Sequence, residues 1–238
     1  MPSVSANLRT KTKKPTRFYF NSVADTYDKW YETAEGAMFD HLEKNAISKY
    51  LLRNTRGRKL LEIGCGTGHW SQFFGEHDFE VMGVDVSKRM ISKALETKLQ
   101  NTSFYIADGH FLPFKDSVFD VTAAMVTLEF VRDAELVVRE MVRCTRKPGG
   151  QLLIGVLNML ARLNRKRQQS PESLYAKARL FSPEQLKQLL GPYGRVQIAA
   201  AVFVPGQKWL LPLAPLTDCI CRLLHRPSGL FIVAEVRL

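Results

Sequence analysis

The sequence contains few cysteines. Its four, Cys65, Cys144, Cys219 and Cys221, are spread unevenly over 238 residues. This is too few for the disulfide framework of a small secreted protein, and no second cysteine or histidine pair stands at metal-ligand spacing from the Cys219/Cys221 pair. The sequence therefore predicts reduced thiols, a cytoplasmic protein and no bound metal.

Long uncharged apolar runs are also absent. The most apolar connection, residues 209–216, is too short and too rich in proline to span a membrane. The basic residues at the start of the chain do not lead into the apolar segment of a signal peptide. With 45% hydrophobic and 24% charged residues, the composition excludes a disordered chain, a collagen-like repeat and an integral membrane protein. A single αβ domain with additions is the arrangement expected for this length.

Acidic residues are scarce in two segments. Residues 1–17 contain five basic residues and no acidic one, and residues 158–180 contain six basic residues and one acidic residue, so each segment carries +5. The formal net charge is +11, which leaves 11 − 5 − 5 = +1 for the rest of the chain. A basic protein often binds nucleic acid, but here the body of the domain is nearly neutral. The segment 158–180 is either a positive lid over a ligand site, suited to an anionic substrate, or a solvated basic face.

Short apolar runs alternate with segments of helical periodicity along most of the chain. Strands are predicted over residues 59–63, 80–84, 102–107, 119–126, 151–157, 195–204 and 230–237, and helices over residues 69–76, 87–98, 134–145 and 183–190. Alternation of this kind is typical of a parallel sheet covered by helices on both faces. The pattern therefore predicts an α/β protein with seven strands.

A glycine-rich loop, Glu62-Ile63-Gly64-Cys65-Gly66-Thr67-Gly68, lies between the first predicted strand and the first predicted helix. Glycines permit a tight turn and let a ligand approach the backbone closely. Asp85 ends the second strand, where a carboxylate can accept hydrogen bonds from both ribose hydroxyls. Together these features indicate a nucleoside pocket. A nicotinamide dinucleotide site is disfavoured because the spacing is G-x-G-x-G, with His69 at the third position of the G-x-G-x-x-G fingerprint.

Four stretches carry a resemblance to a known family: LEIGCGTG, GVDVS with Met90 three residues later, ADGHFLPFKDSVFDV and REMVRCTRKPGGQLLI. Over residues 18–158 the chain resembles the class I S-adenosylmethionine-dependent methyltransferases. Within them it is similar to the type 11 group, which includes ubiquinone and menaquinone biosynthesis enzymes. The resemblance implies a Rossmann-like, doubly wound, mostly parallel seven-stranded sheet with helices on both faces. It also implies S-adenosyl-L-methionine as the cofactor.

The resemblance also implies which residues contact this cofactor. The glycine loop lines its methionine and ribose side, Asp85 binds the ribose hydroxyls and Val86 packs on the adenine. Glu62 either contacts the ligand or holds the loop backbone. The candidate cofactor-binding residues are Tyr27, Glu62, Gly64, Cys65, Gly66, Gly68, Asp85, Val86, Asp108, Gly109 and Val126. We expect residues 1–45 to form an N-terminal helical cap and residues 46–238 the methyltransferase domain, with active-site insertions near 158–180 and 205–228.

The methyl acceptor is constrained mainly by motifs that are missing. The N/D-P-P-Y/F/W motif that positions an amino group in many nucleic-acid and protein methyltransferases is absent after the fourth strand, where Val126-Thr127-Leu128-Glu129 stands instead. No Pro-Cys pair supplies the thiolate of a cytosine C5 methyltransferase. The leading hypothesis is therefore transfer to an O or C atom of a small molecule that is anionic or lipophilic and quinone-like. His110 and Glu129 are the candidate general bases.

Two alternatives remain open. An RNA methyltransferase, acting for example on tRNA, would grip phosphates with the basic segments 9–17 and 162–179, and its binding would weaken steeply with salt. A regulatory protein would bind S-adenosylmethionine without turnover. The apolar stretch 209–216 either forms a wall of the substrate pocket or makes a peripheral contact with a membrane that holds a quinone-like acceptor.

Overall fold

A computed structural model describes residues 20–52 and 54–238 of the chain, so the basic segment 1–17 lies outside the described residues. The strands, numbered in chain order, are β1 Lys59–Ile63, β2 Glu80–Asp85, β3 Thr102–Ile106, β4 Val121–Met125, β5 Gln151–Leu157, β6 Arg195–Ala201 and β7 Phe231–Arg237. The α-helices are α1 Ala34–Ser48, α2 His69–Glu76, α3 Lys88–Glu96, α4 Ala134–Cys144, α5 Arg162–Gln169, α6 Pro183–Leu190 and α7 Ala214–Leu223. Short 3-10 helices cover Phe20–Ser22, Tyr27–Trp30, Leu174–Lys177, Gly191–Tyr193 and Lys208–Leu213.

The seven strands form one sheet in the order β3-β2-β1-β4-β5-β7-β6. Strands β1 to β5 pair in parallel, whereas β7 runs antiparallel to both β5 and β6. The order reverses between β1 and β4, and in doubly wound sheets ligands bind in the crevice at such a point. The predicted seven-stranded, mostly parallel, doubly wound sheet is therefore confirmed.

Successive residues of the central strands point to opposite faces of the sheet and build two cores. Leu61 and Ala124 pack on one face with residues of α4 and α6, such as Met141 and Leu186. On the other face, Leu60 packs with aromatic and aliphatic residues of α1 and α2. Both faces are thus covered by helices, and burial of both faces explains why these strands read as continuous apolar runs.

Side chains at the helix starts satisfy the free backbone amides there. The Ser87 hydroxyl accepts a hydrogen bond from the Met90 amide at 3.1 Å and caps α3. Ser182 and Gln185 form a capping box at the start of α6, with Pro183 in its first turn. These local signals fix where the helices begin and therefore how the loops at the sheet edge are aimed.

Two predicted strands end earlier than their apolar runs. Strand β4 stops at Met125 because Val126 has a φ of 48°, and β6 stops at Ala201 because Val202 has a φ of 64°. Both values lie in the left-handed region, which breaks the pleat of a strand. The apolar side chains remain in the core or the site although the backbone leaves the sheet.

The segments outside the sheet fold against it. The first described residues form two short 3-10 helices and α1, whose buried Phe39, Leu42 and Ile47 belong to the core. Segment 158–180 contains α5 and a short 3-10 helix, and segment 205–228 contains a 3-10 helix followed by α7. In the part of the chain that the structure describes, no helix is long and apolar enough to cross a membrane.

Candidate active site

The glycine loop leaves β1 at the carboxyl edge of the sheet. Gly64 has a φ of 72°, and a Cβ there would lie 2.4 Å from the Thr127 side chain. Gly66 has a φ of 54° and faces open space, with no atom within 4 Å of where a Cβ would be. The amides of Gly64 and Cys65 both donate to the Val84 carbonyl, which ties the loop to β2. The loop is therefore a fixed backbone cradle with room for a ligand beside it.

Asp85 is fixed to this loop at the end of β2. Its carboxylate accepts hydrogen bonds from the Gly66 amide at 3.0 Å and from the Ser87 amide at 2.8 Å. Burial raises the pKa of Asp85, against the opposing effect of these amides. A carboxylate held in this way can accept two further hydrogen bonds from neighbouring ribose hydroxyls, which is the role that the sequence predicts for it.

A pocket opens between the glycine loop, the end of β2 and the loops after β3 and β4. Eight of the eleven candidate cofactor residues line it: Tyr27, Gly64, Gly66, Asp85, Val86, Asp108, Gly109 and Val126. The other eight lining residues, among them Phe20, Met90, Thr127 and Phe130, were not among the candidates from the sequence. The residues present thus provide a glycine cradle, a strand-end carboxylate and apolar walls, which fit S-adenosylmethionine.

Glu62, Cys65 and Gly68 lie outside this pocket. Glu62 is buried and accepts a hydrogen bond at 2.5 Å from the Ser71 hydroxyl of α2. Burial raises the pKa of Glu62 to about 7 and that of the Cys65 thiol well above its usual range. Gly68 caps the N-terminus of α2 with a φ of 92°, and a Cβ there would lie 3.0 Å from the Phe104 ring. Glu62 and Cys65 instead line a second cavity described below.

Asp108 and His110 form a pair beside the pocket. The Nδ1 atom of His110 lies 2.5 Å from an Asp108 carboxylate oxygen, and the His110 amide donates to the same oxygen at 3.0 Å. The Nε2 atom of His110 lies 3.2 Å from the amide of Asp133, which donates to it. Both ring nitrogens are therefore engaged and the ring is buried, so the pair aims the Asp108 carboxylate at the pocket.

The N-terminal 3-10 segment covers the pocket as a lid. Its residues 20–31, called the N-terminal lid below, bring Phe20 and Tyr27 into the pocket wall. Two polar contacts fasten the segment to the core. Ser87 donates to the Asn21 amide oxygen at 2.6 Å, and Thr67 donates to the Asp28 carboxylate at 2.7 Å. Arg89 adds a third contact, an exposed ion pair with Asp25.

A second cavity of about 260 Å³ adjoins the first. The two share Tyr27, Gly64, Gly66, Met125 and Val126 as a common boundary. This second cavity is called the aromatic cavity below. It is lined by six aromatic residues: Tyr27, Trp30, Tyr31, Phe39, Trp70 and Tyr175.

Val126 stands between the two cavities with its backbone in the left-handed region. That conformation is strained for a β-branched residue and is typically retained at functional sites. Its amide is held by the Gly155 carbonyl at 2.8 Å. The chain therefore turns sharply out of β4 where the cavities meet.

Glu43 of α1 lines the aromatic cavity and was not identified from the sequence. Its carboxylate has no hydrogen-bond or ion-pair partner within residues 20–52 and 54–238. Burial, reinforced by the charge of Asp40, raises its pKa to about 8. Asp40 is itself engaged, because it bonds to His69 at 2.7 Å and to Lys44 at 2.8 Å. Glu43 is thus a carboxyl group that can accept or share a proton with a molecule in the cavity.

Arg167 brings a positive charge to the same cavity from α5. Its guanidinium carbon lies 5.3 Å from the centre of the Trp30 ring, 5.5 Å from that of Phe39 and 5.9 Å from that of Tyr175. Glu35 lies 3.5 Å from its Nη2 atom. Arg167 of segment 158–180 therefore lines the aromatic cavity, whereas Arg162, Arg165 and Lys166 of the same helix are exposed.

Glu129 lies behind the two cavities rather than in the residues that line them. One carboxylate oxygen accepts from the Leu157 amide at 2.5 Å, and the other has no hydrogen-bond partner among the described residues. Its backbone carbonyl accepts from the Arg179 amide at 2.8 Å, where segment 158–180 returns to the sheet. Burial raises the pKa of Glu129 to about 8. No cluster of metal-ligating side chains occurs in the described part of the chain.

Comparisons with known proteins bear on the same region. The family described as "Methyltransferase domain", type 11, matches residues 61–154. A Methanocaldococcus jannaschii relative, described as uncharacterized protein MJ1123, is 29% identical over 184 residues, which cover 76% of this chain and 82% of the relative. Demethylmenaquinone methyltransferase of Listeria monocytogenes is 31% identical over 140 residues, covering 56% of this chain and 58% of the enzyme. The chain thus spans little more than half the length of that enzyme.

Among solved structures, a methyltransferase from Thermotoga maritima, described as a possible histamine N-methyltransferase, is similar in fold. It superimposes with a TM-score of 0.69 at 23% identity over 92% of this chain and 97% of its own. The sheet order and the glycine-loop pocket are thus those of the class I S-adenosylmethionine-dependent methyltransferase fold. Residues 61–154 match the type 11 methyltransferase domain, and S-adenosylmethionine is the cofactor that this class uses and that the pocket residues fit.

Proposed function

We propose that the protein transfers a methyl group from S-adenosylmethionine to an O or C atom of a small, planar and lipophilic acceptor held in the aromatic cavity. The observation that carries this proposal is the shared boundary of the two cavities at Tyr27, Gly64, Gly66 and Val126. A cofactor in the first pocket reaches the aromatic cavity along the glycine loop. An acceptor between the aromatic walls then lies next to its methionine end.

The walls of the aromatic cavity favour a ring-shaped acceptor. Aromatic side chains stack on or edge against planar rings, and six of them face this cavity. Arg167 provides the charge for a carbonyl or anionic substituent on such a ring. A quinone-like acceptor is consistent with this set, and the Listeria relative is named for a quinone substrate.

The bound cofactor supplies an already activated methyl group on its sulfonium, so the protein needs no nucleophile of its own. The chain has three tasks: to place the acceptor in line with that methyl group, to exclude water and to take up a proton. In the proposal, the N-terminal lid and Arg167, which line the two cavities, limit the access of solvent to the acceptor. The proposal has three candidate acceptors for this proton. Glu43 lines the aromatic cavity, whereas His110 and Glu129 lie behind the pocket walls.

The proposal includes a cytoplasmic location, which the free state of all four cysteines supports. It excludes a need for the basic arm 9–17 in catalysis. The described basic residues of segment 162–179 are then accounted for by Arg167 at the cavity and by a surface role for the exposed ones.

The test is transfer of label from methyl-labelled S-adenosylmethionine into a dialysed cell extract that is then separated into small-molecule, lipid and RNA fractions. Label in the small-molecule or lipid fraction, lost in an Asp85→Ala variant, is the expected result. Label in RNA would instead establish the RNA methyltransferase. Cofactor binding by calorimetry without label in any fraction would favour the regulatory protein.

A further inference from the structure

Helix α7 and the 3-10 turn before it present a row of apolar side chains to solvent. The row is called the apolar stripe below and consists of Trp209, Leu213, Leu216, Ile220, Leu223 and Leu224. These side chains are between 48% and 77% exposed. Single exposed apolar residues are ordinary on protein surfaces, but a contiguous patch of this size marks a surface that contacts another apolar phase.

The spacing of the stripe places it on one face of the helix. From Leu213 the steps to Leu216, Ile220 and Leu223 are three, four and three residues, which is the repeat of a single helical face. The two charged side chains of α7 lie elsewhere. Asp218 is buried and accepts a hydrogen bond from the Phe203 amide at 3.1 Å, and Arg222 lies 3.5 Å from Asp218. The inner face of α7 is thus fixed to the sheet, which aims the stripe outward.

Basic residues border the stripe. Arg162 and Lys166 of α5 are exposed and line a groove of about 1110 Å³, whose other wall includes Leu211, Thr217 and Cys221. Arg226, just after α7, is exposed as well. The acidic residue that lines the groove, Glu35, faces Arg167 at 3.5 Å. The surroundings of the stripe therefore carry an excess of positive charge.

We propose that the apolar stripe and this basic border dock on the surface of an anionic lipid bilayer. An uncharged helical face with tryptophan and leucine, flanked by arginine and lysine, is the arrangement that lies in the plane of a bilayer interface. Anionic headgroups attract the flanking cations, while the apolar side chains enter the acyl boundary. The charge of the border distinguishes this partner from a second copy of the chain, which would bring its own basic border against the first.

The groove and the aromatic cavity share Trp30 and Phe39 as wall residues, so the two lie side by side. If the proposed function holds, a lipid-soluble acceptor that arrives from the bilayer meets the wall of the aromatic cavity at these two residues. Docking itself does not depend on methyl transfer, so the two ideas can fail separately.

The test is co-sedimentation of the full-length protein with phosphatidylcholine vesicles, with and without phosphatidylglycerol. We expect binding to the anionic vesicles, together with a blue shift of tryptophan emission that is lost in Trp209→Phe. The double variant Leu216→Glu/Leu223→Glu should lower the partition by about 100-fold or more, since two leucines lose their burial. Leu95→Glu, at an exposed leucine of α3, is the matched control and should leave it unchanged.

The basic border is tested separately. Each cation near an anionic surface raises the partition about fivefold, so Arg162→Gln/Lys166→Gln should lower it by roughly 30-fold. The matched control, Lys88→Gln/Lys98→Gln at exposed lysines around α3, should leave the partition unchanged. Equal binding of all variants, or no binding to anionic vesicles, would overturn the proposal. A concentration-dependent dimer that Leu216→Glu/Leu223→Glu abolishes, without vesicle binding, would assign the stripe to a second copy of the chain.

Discussion

Three carboxyl groups near the two cavities differ in how they are held. Asp85 is fixed by two backbone amides, Glu62 by the hydroxyl of Ser71, and Glu43 has no hydrogen-bond or ion-pair partner in the described structure. A carboxylate fixed by the backbone is suited to binding, because its geometry does not change when a ligand arrives. One that lacks a partner is suited to exchanging a proton. The side-chain environment thus separates cofactor recognition from the proposed chemistry.

Removal of the Asp85 carboxylate should weaken cofactor binding. Asp85→Ala loses hydrogen bonds to a charged group worth about 1.5 to 3 kcal/mol, or about 10- to 150-fold in affinity. Calorimetric titration with S-adenosylmethionine and S-adenosylhomocysteine measures the loss. Glu80→Ala, at the exposed opposite end of the same strand, is the control. Unchanged affinity in Asp85→Ala would remove the ribose assignment.

Glu43 should control the pH dependence of the reaction. A carboxyl group with a pKa of about 8 accepts a proton only when ionised, so the rate should rise as pH increases towards 9. Glu43→Gln should lower kcat by about 100-fold or more, abolish this rise and leave the KM for S-adenosylmethionine unchanged. The exposed Glu32→Gln is the control. The assay uses the acceptor recovered from the labelled extract fraction, and a Glu43→Gln variant that keeps the rise would exclude this role.

The sequence could predict the residues of the site that follow directly on strands. Gly64, Asp85 and Asp108 stand at strand ends, and parallel strands bring their carboxyl ends to one edge. Glu43 and Arg167 are far apart in the chain and belong to no motif. Glu43 lies in the amphipathic pattern of α1, and Arg167 is one of several cations in α5. Only tertiary packing shows that these two side chains reach the aromatic cavity.

At the scale of elements, the hydrophobic pattern predicted each of the seven strands and four of the seven described α-helices. The ends of β4 and β6 were misjudged because Val126 and Val202 read as strand formers, yet both take positive φ values. Propensity describes the residue, whereas tertiary contacts determine the backbone where a chain leaves the sheet. Helices α5 and α7 were not predicted as elements, and α1 was predicted only as part of the N-terminal helical cap, because all three pack outside the alternating βα pattern.

The N-terminal lid should hold the cofactor through its partly buried contact with the glycine loop. Asp28→Ala removes the acceptor of the Thr67 hydroxyl, which lies in the glycine loop. We expect S-adenosylhomocysteine to dissociate about three- to tenfold faster, since one partly buried hydrogen bond to a charged group is lost. Stopped-flow fluorescence measures the rate. The control, Asp25→Ala, breaks an exposed ion pair of the same segment and should change the dissociation rate by less than about twofold. A larger change in Asp25→Ala than in Asp28→Ala would contradict this account.

At the scale of the whole molecule, charge and burial are distributed by function. The exposed cations of α5 lie beside the apolar stripe, whereas carboxyl groups are buried around the cavities at the carboxyl edge of the sheet. Segments 1–17 and 158–180 each carry +5 of the formal net charge of +11, which leaves the rest of the chain nearly neutral. The free-energy cost of burying carboxyl groups around the site is concentrated in a few acidic residues.

The buried acids should make the folded state less stable as pH rises. Burial raises the pKa values of Glu43 and Glu129 to about 8 and that of Glu62 to about 7, so in the folded state each keeps a proton that the unfolded chain releases above about pH 4.5. Between pH 5 and the folded-state pKa, each group therefore lowers the free energy of unfolding by about 1.4 kcal/mol per pH unit. Asp40 and Glu140 have lowered pKa values, so their stabilising contribution is lost only as pH falls below about 4.

Chemical denaturation from pH 5 to 8 should show this decline in the free energy of unfolding. Glu129→Gln, which keeps the oxygen that accepts from Leu157, should reduce the slope by about a third, while the exposed Glu184→Gln should not. A stability that is flat over this range would mean that these carboxyl groups are ionised in the folded protein, and Glu43 would then be a binding group rather than a proton acceptor.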